Sequence, residues 1–222
     1  MKLGTVGAAS GRVLWAAVLL GVGALLPACD PAEARIHTGD TLFLNNCAPC
    51  HGSAGEGMSV ANAPAIAGLP YWYVQHQVDG FRAGLRGTHF DDIQGMRMRP
   101  MALTLANDAE VAKVSAYVAS LPPSHPAAQL TGGDATRGAG YYATCAACHG
   151  ADGMGNEALG APPLAGASDW YLRDQLEKFQ GGVRGAHPKD ARGAQMAPMA
   201  KLLPDGQAIK DVLAYISTLP AK

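Results

Sequence analysis

A five-residue pattern occurs twice in this chain, and it constrains the fold more than any other feature. Residues 47–51 read Cys-Ala-Pro-Cys-His, and residues 145–149 read Cys-Ala-Ala-Cys-His, 98 positions later. Two thiols three positions apart with a histidine directly after them form the attachment signature of c-type haem. A single Cys-x-x-Cys is also typical of a redox dithiol or half a zinc site. Because the pattern recurs in matched surroundings, we predict two covalently attached haems.

The second copy of the motif is part of a longer internal repeat. Adding 98 to a residue number carries the first half onto the second, without a gap, from the motif to the C-terminus. We therefore predict a duplicated module that spans residues 36–124 and 130–222. Residues 125–129 form the linker, in a proline-rich stretch that stops a helix. Matched pairs include Trp72 and Trp170, Phe81 and Phe179, Tyr117 and Tyr215, and Pro122 and Pro220.

Each module is predicted to be helical, with three segments. The first runs into the haem motif and places Phe43 or Tyr141 on its inner face. The middle and last helices carry apolar residues at helical spacing, and no long run alternates like a strand, so the predicted fold class is all-α. The middle helix is marked by Val74, Val78 and Phe81 in one module and by Leu172, Leu176 and Phe179 in the other. The predicted N-caps are Asp40, Asp134, Ser168, Asn107 and Asp205.

Residues 1–34 are predicted to be a signal peptide. Lys2 and Arg12 give a positive start, and residues 13–26 form a 14-residue apolar run. That run is shorter than the roughly 20 residues of a membrane-spanning helix. Cleavage after residue 34 would remove Cys29 and release a soluble periplasmic protein, which is the product we favour. The alternative is a lipoprotein signal that ends at residue 28, after which a lipidated Cys29 anchors the protein to the membrane.

The iron of each haem needs two axial ligands if it only transfers electrons. The histidine of the motif is the proximal one, and methionine is the informative candidate for the second because its thioether raises the potential relative to another imidazole. Each module offers a Met-x-Pro-Met sequence, predicted to lie on a loop before the last helix. We favour the methionine before the proline, because the later one is placed to begin a helical turn. The predicted iron ligands are His51, Met98, His149 and Met196, with Met101 and Met199 as alternatives, and the thioether-forming thiols are Cys47, Cys50, Cys145 and Cys148.

Other matched residues are candidates for supporting roles. The outer N–H of each proximal histidine needs an oxygen acceptor, and the carbonyls of Pro64 and Pro162 are the predicted ones. Arg86 and Arg184 are candidates for charge-assisted hydrogen bonds to haem propionates, although a solvated arginine fits the sequence equally well. The remaining candidates are Trp72 and Trp170, as core or haem-wall aromatics, and His89 and His187, as less favoured alternative ligands.

With two haem motifs, paired Met-x-Pro-Met sequences and a closing helix that carries Tyr117 or Tyr215, the chain resembles the dihaem class I cytochromes c of the cytochrome c-4 type. The resemblance implies two tandem cytochrome c domains related by internal duplication, with two covalently bound haem c groups and a pseudo-twofold interface between them. It also implies that the earlier methionine of each pair is axial. The first module departs from the pattern before its motif, where residues 37–40 replace the fuller sequence of residues 132–138.

The resemblance implies a one-electron carrier in an exported respiratory or oxidative chain, and not an enzyme. Its expected partners are redox proteins, with a cytochrome bc complex or a dehydrogenase as donor and a terminal oxidase as acceptor. One alternative is the cytochrome subunit of a dehydrogenase, such as a flavocytochrome sulfide dehydrogenase. A dihaem peroxidase is less favoured, since it needs a five-coordinate haem and both modules carry the methionines. The formal net charge of −1 provides no basic surface for nucleic acid, so no such partner is predicted.

Overall fold

The computed structural model describes residues 38–221, together with Met1, Lys2 and Gly4. The rest of the predicted signal peptide, including Cys29, lies outside the described residues. The chain divides into Met1–Ile36 and His37–Lys222, and the fold described here is that of the second unit. Among the described residues, no helix has both the length and the apolar character needed to cross a membrane.

The secondary structure of residues 38–221 is helical, and its only strand-like pairings are two isolated bridges. The predicted all-α class is therefore confirmed. The first module contains α1 (Gly39–Leu42), a π-helical segment (Phe43–Cys47), α2 (Ala48–His51), α3 (Tyr71–Arg82), α4 (Ile93–Leu103) and α5 (Asp108–Ser120). The second module contains α6 (Ala135–His149), α7 (Asp169–Gln180), α8 (Ala191–Ala200) and α9 (Gly206–Ile216).

Each module packs its last helix against its first and middle helices around a core of its own. In each module a buried aromatic ring packs against a half-buried tyrosine of the last helix. The ring centroids of Phe43 and Tyr117 are 5.3 Å apart, and those of Tyr142 and Tyr215 are 5.2 Å apart. The apolar positions predicted for the middle and last helices face these cores. Those that are buried include Val74, Val78, Phe81, Val111, Val114, Val118, Phe179, Ile209, Val212 and Ile216.

The first helical run of module one holds one residue more than its counterpart. Gly39 and Gly138 are equivalent, because a side chain at either would collide with a backbone carbonyl of the last helix. Eight positions separate Gly39 from Cys47, whereas seven separate Gly138 from Cys145. The π-helical segment absorbs the extra residue, since its wider turn closes over five residues instead of four.

This insertion corrects one predicted core residue. The predicted inner-face position Tyr141 is only half-buried, and Tyr142 takes the place that Phe43 occupies in the other module. The Tyr142 hydroxyl donates a hydrogen bond of 2.8 Å to the carbonyl of Gly150, directly after the second haem motif. Phe43 has no hydroxyl, so this link belongs to the second module.

The Met-x-Pro-Met sequences lie inside α4 and α8, so the predicted loop was wrong. Each helix begins at a buried aspartate whose carboxylate accepts a hydrogen bond from a backbone N–H three residues later. These bonds join Asp92 to Gly95 at 3.1 Å and Asp190 to Gly193 at 2.9 Å. Proline in a helix removes one hydrogen bond and crowds the preceding turn. Here the caps and the packing of the inner face outweigh that cost.

Most predicted N-caps are confirmed. Asp40 is an exception, since it lies within α1 and Thr38 occupies the N-cap position. Ser168 occupies the N-cap position of α7, but its side chain makes no capping hydrogen bond. The caps whose side chains accept a backbone N–H are Asn107, Asp134 and Asp205.

A buried carboxylate ties the first helix of the second module to the last. Asp211 is 1% exposed and accepts hydrogen bonds from Arg137 Nε at 2.8 Å, from the backbone N–H of Asp134 at 2.8 Å and from Gln207 Nε2 at 2.8 Å. These bonds, with that of Arg137 foremost, lower the pKa of Asp211 to about 2. The corresponding residue of the first module is Lys113, so this link is specific to the second.

The low pKa of Asp211 predicts how the second module responds to acid. An aspartate whose pKa is lower in the folded state than in the unfolded state stabilises the fold at pH values above its ordinary pKa of about 4. This stabilisation is lost as the pH falls toward the pKa of the folded state. We expect Asp211→Asn to lower the unfolding midpoint at neutral pH and to flatten its dependence on pH between about 4 and 2. Urea unfolding followed by circular dichroism measures both. Asp91→Asn, at an exposed carboxylate, is the control, and an unaltered acid dependence in Asp211→Asn would contradict the assignment.

Candidate haem sites

Both Cys-x-x-Cys-His motifs end a helix. His51 and His149 are the last residues of α2 and α6, and each is followed by a glycine with φ near +84°, which turns the chain away. In each motif the second thiol is exposed and the first is half-buried, and all four are free. Burial raises the pKa of Cys47 to about 11, so this thiol is neutral at physiological pH. Residues 38–221 contain no cluster of three or more metal-binding side chains, so neither Cys-x-x-Cys pair has the further ligands of a structural zinc site.

The two histidines are oriented in the same way. His51 Nδ1 lies 2.8 Å from the carbonyl oxygen of Pro64, and His149 Nδ1 lies 2.8 Å from that of Pro162. A carbonyl only accepts, so Nδ1 donates in both and Nε2 keeps its lone pair. Burial lowers the pKa of both histidines and favours this neutral form. The predicted carbonyl acceptors are confirmed.

A large apolar cleft adjoins the motif of the second module. Cys145, Cys148 and His149 line it from one side and Met196 and Met199 from α8, so the structure brings the predicted ligands of this module together. The cleft is partly open to solvent, and Leu164, Leu172, Leu176, Val212, Leu213 and Ile216 make its lining mostly apolar. An apolar lining with a few polar groups is typical of a cofactor site.

In each Met-x-Pro-Met sequence, the first methionine lies on the face of its helix that carries the buried residues. In α4, Met98 is three residues after Gly95 and four before Ala102, and both of these are buried, so all three share one face. Met98 is half-buried and packs against the core of its module. In α8, Met196 has the same relation to Gly193 and Ala200, whereas Met199 is 38% exposed.

Two arginines and two glutamines join the modules. Arg86 donates to Gln77 of its own module at 2.5 Å and to Gln175 of the other at 3.0 Å. Arg184 mirrors it, donating to Gln175 at 2.7 Å and to Gln77 at 3.0 Å. The interface therefore has pseudo-twofold symmetry, and we call these four residues the Arg/Gln cross.

The arginines of the cross fit an anionic partner. Each guanidinium lies over a phenylalanine of its own module, Arg86 at 4.3 Å from the Phe81 ring centroid and Arg184 at 4.6 Å from that of Phe179. Both line the cleft, and neither forms an ion pair with a carboxylate in the part of the chain that the structure describes. Arg86 Nε is buried without a hydrogen-bond partner. Partly buried cations with neutral acceptors favour an anion, as the carboxylates of haem would supply.

One buried ion-pair network breaks the symmetry of the interface. Lys178 of α7 lies 2.8 Å from Asp92 of the other module and 2.8 Å from Asp174, and it donates to Gln94 at 2.9 Å. Burial of Asp92 opposes ionisation, but the hydrogen bond and charge of Lys178, together with the charge of Arg86 and the N–H of Gly95, hold the pKa of that carboxyl below its usual value. The repeat places Gly80 at the position of Lys178, so the first module has no matching cation.

The other predicted candidates lie outside this arrangement. Nδ1 of His89 and of His187 each accept a hydrogen bond from a backbone N–H two residues on, at 3.2 Å, which holds both rings in their loops. Trp72 and Trp170 are half-buried and pack edge-on against the neighbouring tyrosine, in keeping with the predicted structural role.

Sequence reasoning missed Gln77, Gln175 and Lys178. The two glutamines match at the offset of 98, so the repeat contains a signal for them, but nothing local marks a glutamine as an interface residue. Lys178 has no match in the repeat and gives no such signal.

The chain matches the family model described as cytochrome c twice, over residues 36–122 and 135–220. Among its relatives is a thiosulfate dehydrogenase electron acceptor from Stutzerimonas stutzeri (strain A1501), 34% identical over 79% of this chain and 84% of the relative. The cbb3-type cytochrome c oxidase subunit CcoP from Rubrivivax gelatinosus is 33% identical over 61% of this chain. The match spans only 40% of that subunit's length.

Solved structures share the fold. Thiosulfate dehydrogenase (TsdBA) from Marichromatium purpuratum superimposes with a TM-score of 0.66 at 32% identity, covering 82% of this chain and 40% of that one. Reduced cytochrome c4 from Pseudomonas stutzeri gives 0.62 at 24% identity, covering 85% of this chain and 98% of that one. The chain therefore belongs to the cytochrome c family, as a dihaem electron carrier whose two tandem domains have the cytochrome c4 fold and hold two covalently bound haem c groups.

Proposed function

We propose that the protein is an exported, periplasmic carrier that takes single electrons from a dehydrogenase and passes them toward a terminal oxidase. The observation that carries this proposal is the matched pair of sites, each with an oriented histidine and a methionine on the inner face of the opposing helix. The predicted signal peptide supports export, with membrane attachment through Cys29 as the alternative. We keep residues 36–124 and 130–222 as the domain limits, with residues 125–129 between them.

We infer that Cys47, Cys50, Cys145 and Cys148 hold the haems and that His51 and His149 are the proximal ligands. Haem iron, when bound, supplies a one-electron ferric–ferrous couple. The residues of this chain hold and orient the group: the Pro64 and Pro162 carbonyls fix the two imidazoles, and the apolar cleft limits the access of water. Arg86 and Arg184 offer donors to the propionates from the interface.

We infer that Met98 and Met196 complete the two sites. Each lies on the buried stripe of its helix, at positions 95, 98 and 102 of α4 and 193, 196 and 200 of α8. Met101 and Met199 lie beside that stripe. A methionine ligand on both irons leaves no open position for peroxide, so we propose a carrier and not a peroxidase.

The methionine assignment predicts a simple outcome for paired substitutions. Met98→Ala and Met196→Ala should each remove about half of the sulfur-to-iron charge-transfer absorbance of the oxidised protein, because each deletes one of two ligands. Met101→Ala and Met199→Ala are the matched controls, three residues further along the same helices, and should keep the band. Near-infrared absorption spectroscopy measures it, and the reverse pattern would assign the ligands to Met101 and Met199.

The similarity to the Stutzerimonas stutzeri protein favours a sulfur-compound dehydrogenase as donor over a cytochrome bc complex. It also supports the second candidate function, in which this chain is the electron-accepting subunit of such an enzyme, nearer to a thiosulfate than to a sulfide dehydrogenase. The match covers 84% of that relative, so it extends over both haem domains.

Reduction by a dehydrogenase tests the proposed function. With thiosulfate and the thiosulfate dehydrogenase of Stutzerimonas stutzeri, we expect both haems of the oxidised protein to be reduced, at two electrons per chain. Visible absorption spectroscopy follows the reaction, with ascorbate as the reference reductant. Reduction by ascorbate alone would reject this donor and leave the carrier function, whereas reduction by neither would reject the carrier function itself.

A further inference from the structure

The outer face of α4 exposes large apolar side chains. Ile93 is 52% exposed, Met96 40% and Leu103 50%. The spacing of these residues places them on one face of the helix, away from the buried Gly95, Met98 and Ala102. Phe90, three residues before Ile93, is 75% exposed. A contiguous apolar face of this kind on a soluble unit marks a contact site.

The second module shows that the fold does not require these side chains. At the matched positions before, within and directly after α8, the repeat has proline, two alanines and lysine in place of Phe90, Ile93, Met96 and Leu103. The two helices have the same caps and the same buried stripe. The apolar face is therefore a property of the first module, and core packing does not explain it.

Positive charge accompanies the apolar face. Helix α4 contains Arg97 and Arg99 and no acidic residue, whereas the matched residues of α8 are glutamine and alanine. Arg97 is exposed and forms no ion pair with residues 38–221. The two acidic residues that directly precede α4 have other partners, since Asp92 is buried in an ion pair with Lys178 and Asp91 lies 3.8 Å from His89. An apolar centre beside an unpaired arginine has the composition of a protein contact surface and is complementary to an acidic one.

We propose that Phe90, Ile93, Met96, Arg97 and Leu103 form the docking surface for an acidic redox protein, so that electrons enter or leave the dihaem unit through its first module. The proposal rests on the proposed carrier function. The inner face of the same helix carries Met98, so a partner seated on the outer face lies about one helix diameter, roughly 10 Å, from the predicted iron ligand. One electron passes between the one-electron centre of the partner and the haem of the first module, and one is oxidised as the other is reduced. A patch of this size suits the small interfaces of transient redox encounters.

The matched residues of the second module suggest the substitutions that test this docking surface. The variant Ile93→Ala/Met96→Ala/Arg97→Gln gives the first module the residues of the second at three exposed positions. The probe is an oxidised acidic blue-copper protein, which oxidises the ascorbate-reduced protein in a stopped-flow experiment at low ionic strength. We expect the second-order rate constant to fall by about tenfold and to depend less on salt, because charge complementarity accelerates encounter. Lys201→Gln, which removes one positive charge directly after α8 at the position that matches Leu103, should stay within about twofold of wild type.

Each other outcome rejects part of the proposal. An unchanged rate in the triple variant, or an equal fall in Lys201→Gln, would exclude this docking surface. Sedimentation of the wild type as a dimer that the triple variant dissociates would assign the face to a second copy of the chain. An intact charge-transfer band in the triple variant shows that the haem sites are preserved, so a slower rate reports docking. Failure of ascorbate to reduce the haems would instead reject the carrier function.

Discussion

The Arg/Gln cross is the interaction on which the arrangement of the two modules depends. Each guanidinium spans both modules, stacks on a phenylalanine at the end of the middle helix and lines the cleft. The acceptors it meets are neutral amide oxygens, so its charge remains available to the carboxylates of a bound haem. One set of side chains therefore holds the modules together and directs the guanidinium groups of Arg86 and Arg184 toward the cleft.

Duplication produced two similar sites in different surroundings. Lys178 with its two carboxylates lies on one side of the interface, and glycine takes its place on the other. Tyr142 anchors the chain after the second motif, whereas the first module has Phe43 and a π-helical turn. The outer faces of α4 and α8 also differ, because the large apolar residues and Arg97 of the first are replaced by proline, alanine, glutamine and lysine at the matched positions of the second. These differences lie outside the residues that orient the proposed iron ligands, so we expect the modules to keep the same chemistry and to be able to take different partners.

The sequence predicts the haem motifs, the histidine acceptors and the core helices because each depends on local spacing. His51 and Pro64 recur at the same separation as His149 and Pro162, and both contacts are present. The helix around Met98 was missed because proline indicates a break, whereas the aspartate cap and the buried stripe that stabilise this helix depend on packing. The shift from Tyr141 to Tyr142 follows from one inserted residue before the first motif, where the sequences of the two modules are least alike. The role of Gln77 and Gln175 depends on how the two modules pack against each other, which local spacing does not predict.

The central claim is that both modules hold a six-coordinate haem and act as one two-electron store. A redox titration of the intact protein, followed by visible absorption and electron paramagnetic resonance, tests it directly. The account predicts two electrons taken up per chain, with both haems low-spin in the oxidised protein and no high-spin signal at any potential. Uptake of a single electron per chain, or a high-spin haem in the resting protein, would contradict it.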